Sequence, residues 1–185
     1  MKTLVGQLDI LETMTPMSFL TFRDRLESAS GFQSWQFREF EFVLGYKRPE
    51  LLQLHGDEPE ALARLERRVN QPSLVHHWYR FLGQRGMTIP ADLTARDVRL
   101  PTIPHDVLQQ GLIRLYRQQG EVTVLLELMT DFDEGLQEWR YRHLKMVERT
   151  IGNKQGTGGS SGVELLRGTL FRPMFPDLWA IRDRL

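Results

Sequence analysis

The stretch Leu136-Gln137-Glu138-Trp139-Arg140-Tyr141-Arg142-His143-Leu144-Lys145-Met146-Val147-Glu148-Arg149-Thr150 decides the fold. Leu136, Trp139, Met146, Val147 and Thr150 lie at offsets of −7, −4, +3, +4 and +7 from His143. That is the spacing of one face of an α-helix, and it aims the histidine at the core. The helical pattern reaches back to about Val122. Gly135 interrupts it without ending it, and Gly152 supplies a C-cap.

The same period recurs on both sides. Thr15-Pro16 reads as an N-cap followed by proline at the first helical position, opening a helix whose face carries Phe19, Phe22, Arg23 and Leu26. Ser28-Ala29-Ser30-Gly31 breaks it. Further helices are expected over Phe32–Gly45, Pro49–His55, Glu58–Val69, Pro72–Leu82, Asp106–Gln118, Val163–Thr169 and Asp177–Arg184. Residues 84–104 hold Gly86, Pro90, Pro101 and Pro104 and read as a surface loop. No repeat or linker stands out. The expected fold is all-α, a bundle-like single domain over residues 1–185.

Composition narrows the function classes. The chain is 41% apolar and 26% charged, which is ordinary for a globular protein. Formal net charge is zero, so no field favours nucleic acid or an anionic membrane. Aromatic residues interleave with arginine at 35–42 and 139–142. Without a basic block, these read as core rather than as base-stacking platforms. No run of 18 apolar residues exists, so no membrane helix is expected, and the N-terminus lacks the apolar region of a signal peptide. There is no cysteine, which excludes disulfides and thiolate metal sites and fits the cytoplasm.

Three constellations carry chemistry. His143 reads either as a buried neutral histidine of the core or as an axial ligand to haem iron, for which an apolar, aromatic wall is suited. Arg23 shares its face with Phe19, Phe22 and Leu26. It either snorkels to Asp24 or Glu27, or waits as a buried guanidinium for a carboxylate held by two parallel bonds. The loop Gly156-Thr157-Gly158-Gly159-Ser160-Ser161-Gly162 permits close backbone approach to a ligand. A plain linker has similar composition, and a phosphate loop would require a following Gly-Lys-Ser/Thr that is absent. The other histidines show no metal-binding spacing.

Two segments together resemble the tryptophan 2,3-dioxygenase family of haem enzymes. One runs from Leu11-Glu12-Thr13-Met14-Thr15-Pro16 through Phe22-Arg23-Asp24 to Ser28-Ala29-Ser30-Gly31-Phe32-Gln33-Ser34. The other joins Trp139-Arg140-Tyr141-Arg142-His143 to the glycine loop and its flanks, Ile151-Gly152-Asn153-Lys154 and Val163-Glu164-Leu165-Leu166-Arg167. Thr157 follows His143 by fourteen residues, as in the family.

The resemblance implies haem (iron protoporphyrin IX) on His143, with Trp139, Ser30 and Gly158 against the cofactor. It implies L-tryptophan and O2 as substrates. Arg23 would bind the amino-acid carboxylate and Thr157 the ammonium and carboxylate, with Ser30 on the substrate side as well. Phe19 would give apolar contact only, where many members carry tyrosine. The implied reaction opens the indole C2–C3 bond to give N-formylkynurenine, in a cytoplasmic homo-oligomer that is a tetramer by resemblance. No separate catalytic side chain is assigned, because the oxygen chemistry belongs to the cofactor. The family also carries a distal histidine in a His-x-Ala-x-Glu-Leu-Trp-Phe-Lys-type run, and these 185 residues hold no such run. The alternative expectation is therefore a non-catalytic haem- or amino-acid-binding homologue, or a fragment lacking the distal half of the site.

Overall fold

Ten α-helices and two 3-10 segments account for most of the described residues, 2–24, 35–152 and 162–185, of this computed structural model, and no strand occurs among them. The order is α1 (Lys2–Glu12), α2 (Pro16–Asp24), α3 (Trp35–Leu44), a 3-10 segment (Pro49–His55), α4 (Pro59–Asn70), α5 (Leu74–Gln84), α6 (Ala91–Thr94), α7 (Asp106–Arg117), α8 (Glu121–Ile151), α9 (Gly162–Thr169), α10 (Pro176–Ala180) and a closing 3-10 turn (Arg182–Arg184). The all-α expectation holds. Two elements go beyond the sequence reading: α1, ahead of Thr15, and the single turn α6 inside the stretch read as a loop.

The chain divides into two compact units, Met1–Ser30 with Leu128–Pro173, and Gly31–Glu127 with Met174–Leu185. The boundary falls within α8, which runs unbroken through Gly135 for 31 residues.

The second unit is built on α7. Leu108, Leu112 and Leu115, on one face at offsets of four and seven, are all buried, two of them completely. Asp106 in the first turn and Arg114 and Arg117 in the last complement the helix dipole. Leu65, Leu82, Phe175, Leu178 and Ile181 are buried in the same unit, each at most 2% exposed, and α10 packs on α7. Burying one such side chain stabilises the fold by about 1.5–3 kcal/mol. Gly111 brings α7 close to Met87, whose side chain would have to shift to admit a Cβ there.

Asp177, in the first turn of α10, is 5% exposed. Its Oδ1 accepts from the His105 backbone N–H at 2.6 Å and from Gln109 Nε2 at 3.2 Å, which ties the start of α10 to the start of α7. Burial raises its carboxyl above the ordinary range despite those two donors. Lys47 is also buried. Its ammonium donates to the carbonyls of Val69, at 2.8 Å, and Gln71, closing the C-terminal end of α4 where carbonyls lack helical partners.

In the first unit, Leu144, Val163 and Leu170 form a buried cluster with Val147 and Leu166 beside it, joining α9 to the last turns of α8. Val5 and Leu8 are buried on α1. Thr15 caps α2 as its sequence predicts: its hydroxyl oxygen accepts from the Ser18 backbone N–H at 3.2 Å.

Candidate functional site

The candidate site lies in the first unit and is organised by α8. One helical turn separates Trp139 from His143, so their rings meet on one face. They stack with centroids 5.3 Å apart and planes 16° from parallel. His143 Nδ1 is sealed from solvent and has no hydrogen-bond partner among the described residues. Burial pushes the imidazole below its ordinary pKa, because nothing nearby compensates a charge there. The ring is therefore neutral at neutral pH, with a lone pair on one nitrogen.

These residues fit an iron porphyrin. The macrocycle brings its own nitrogens, so the protein needs to offer one neutral imidazole and an apolar wall rather than a full ligand set.

The stripe expected around His143 divides. Val147 joins the Leu144 cluster. Met146 and Thr150 line a cavity of about 300 Å³ on another side of α8, facing Leu11 and Glu12 of α1. Leu144, one position off the stripe, is only 3% exposed.

Helices α8 and α9 are joined by an ion pair. Glu148 of α8 accepts from Arg167 of α9, Oε1 to Nη2 at 2.6 Å, and from Lys145 Nζ at 2.9 Å. Thr157 and Gly158 lie outside the described residues, as does Ser30. Arg23 sits in the last turn of α2, and its side chain is outside the described atoms. Phe19 is half-buried on the same helix. Trp139 and His143 are thus the two site residues that the described side chains bring together.

An ion-pair knot unforeseen from sequence joins the two characteristic segments. Arg142, next to His143, forks onto Glu12: Nε to Oε1 at 2.9 Å and Nη2 to Oε2 at 2.7 Å. The same Nη2 also reaches Asp9. Arg149, two turns on, donates to the Glu12 backbone carbonyl at 3.1 Å. The Arg142 hydrogen bonds hold the Glu12 carboxyl below its ordinary range, and the two carboxylates push Arg142 up. Both Glu12 and Arg142 lie in the quoted segments, which is the only sequence signal they give.

A helical protein with a neutral, stacked histidine on its longest described helix, tied by an ion-pair knot to α1, is the class these features define. The family model of tryptophan 2,3-dioxygenase matches residues 1–81 and 93–185. The chain belongs to the tryptophan 2,3-dioxygenase family. It is 55% identical to the tryptophan 2,3-dioxygenase of Herpetosiphon aurantiacus over 185 residues, all of this chain and 70% of that protein. It is 47% identical to that of Anaeromyxobacter dehalogenans, covering 69% of it. It is 41% identical over 180 residues to that of Bacillus anthracis, which is 96% of this chain and 64% of that protein.

Proposed function

We propose that this protein is a haem-dependent dioxygenase that opens the C2–C3 bond of the L-tryptophan indole with O2, giving N-formylkynurenine. The observation that carries the reading at the site is His143: a buried, neutral imidazole stacked on Trp139, in a chain of this family. Haem, when bound, supplies the activation of O2, which side chains alone do not provide.

The chain's own residues bind, orient and exclude water. His143 would hold the haem iron through a ring nitrogen, and Trp139 gives the imidazole a flat wall. In this reading Arg23 holds the substrate carboxylate with two parallel charge-assisted bonds. Thr157 takes the ammonium and carboxylate from the loop, with Phe19 giving apolar contact. Ser30 and Gly158 would contact the cofactor in the same reading. Orientation of the reactants is worth several kcal/mol of a barrier, and exclusion of water protects the reacting centre. A cytoplasmic homotetramer belongs to the same reading through family resemblance. Among the described residues, no helix is long and apolar enough to cross a membrane.

The test is reconstitution with haem, followed by N-formylkynurenine assay from L-tryptophan under reducing, aerobic conditions. A Soret band, an axial-nitrogen signature lost in His143→Ala, and product formation are expected. An unchanged haem spectrum in His143→Ala refutes the ligand assignment. Haem binding through His143 without turnover would instead identify a binding homologue.

A further inference from the structure

We propose that Arg142 is a positioning residue that fixes the start of the substrate-clamping helix α2 against the haem-carrying helix α8. This rests on the roles proposed above for Arg23 and His143.

Glu12 is the last residue of α1, and it is held at both ends. Its carboxylate takes the Arg142 fork at 2.9 and 2.7 Å, and its backbone carbonyl takes Arg149 at 3.1 Å. The connection onward to α2 is short and internally bonded. Thr13 N–H donates to the Asp9 carbonyl and Met14 N–H to the Leu11 carbonyl, both at 3.2 Å. Thr15 then caps α2. Two residues, Thr13 and Met14, separate the clamped Glu12 from that cap, so little freedom remains between Arg142 and the first turn of the helix carrying Arg23. Arg142 in turn is bonded in sequence to His143. The knot therefore sets the carboxylate-binding helix and the axial ligand in one frame.

Magnitude favours positioning over stabilisation. Arg142 and Glu12 are 22% and 34% exposed, and ion pairs reached by solvent contribute little to folding. A planar fork, however, fixes direction in a way that a lysine ammonium cannot. Breaking it should leave stability nearly unchanged and misalign the clamp.

The test uses the haem-loaded protein with Glu12→Gln and Arg142→Lys. L-Tryptophan binding should weaken about tenfold, less than loss of the charge-assisted bonds themselves would cause. Binding of indole, which has no carboxylate, and haem content should match the parent. The exchange pair Glu12→Arg with Arg142→Glu should restore part of the tryptophan affinity.

Amide hydrogen exchange over residues 13–24 in the haem-free chain provides a readout independent of any ligand. It should quicken in Glu12→Gln, with α8 unchanged. Parent-like exchange there, or equal losses for tryptophan and indole, overturns the proposal. If the parent binds no haem through His143, the functional reading fails, and the exchange measurement still decides the role of Arg142.

Discussion

Glu12 in the first unit and Asp177 in the second each fasten one helix end to another helix, under opposite conditions. Glu12 is part-exposed and faces full positive charges on Arg142 and Arg149. Asp177 is buried and is met only by a backbone N–H and a side-chain amide. The first carboxyl is pulled below its ordinary range by hydrogen bonds to a cation, and the second is pushed above it by burial. The contrast separates two tasks. Charged, wettable knots set direction with little contribution to stability, whereas a buried polar knot is part of the core and is costly to disturb.

The largest expected effect tests whether the second unit is held by burial. Leu112→Ala removes a completely buried side chain from α7 and should lower stability by about 2–5 kcal/mol in denaturant titration. A loss no greater than that of an exposed site such as Val124→Ala would end the claim that α7 organises this unit.

Asp177→Ala comes next. It leaves the His105 N–H and the Gln109 amide without their acceptor, a loss of about 1–3 kcal/mol. Removing the unfavourable burial of the carboxylate offsets part of it. Asp177→Asn keeps an acceptor oxygen and should lose less than alanine. Equal losses would show that the charge matters, not the acceptor.

The smallest effect sharpens the comparison most, because its sign differs between the two knots. Glu12 titrates below 4.5 when folded, so its contribution is present above 4.5 and is lost as pH falls through the folded value. Asp177 titrates above 3.8 when folded, so its contribution is present below 3.8 and is lost as pH rises through the folded value. The Tm difference between parent and Glu12→Gln should therefore shrink on acidification. That between parent and Asp177→Asn should move in the parent's favour. Parallel trends in the two series would break the distinction.

The helices legible in sequence are those whose signals are local. Thr15 with Pro16 announces α2, and the spacing of Leu108, Leu112 and Leu115 announces α7. Helix α1 has no capping signal and carries Gly6. Val5, Leu8 and the Arg142 knot hold it, and the Arg142–Glu12 contact spans 130 positions of sequence, which no window reveals. Helix α6 is a single turn fixed by burial of Leu93 among prolines and charges. At the site, the four-residue spacing of Trp139 and His143 made their meeting readable. The sealed state of Nδ1 was not, because it depends on what surrounds the ring in space. The fork on Glu12 escaped for the same reason, although both partners sat inside stretches already singled out.

Lys47 makes the second unit report on its own opening. The residue is 7% exposed, and its ammonium is engaged by the carbonyls that end α4. An amine-directed reagent finds neither access nor a free lone pair while the unit is closed. Burial also lowers the pKa of the group, but the proton is held by the two carbonyls. Acylation of Lys47 thus requires that the end of α4 come away first, so its labelling rate measures how often that happens, without any introduced probe.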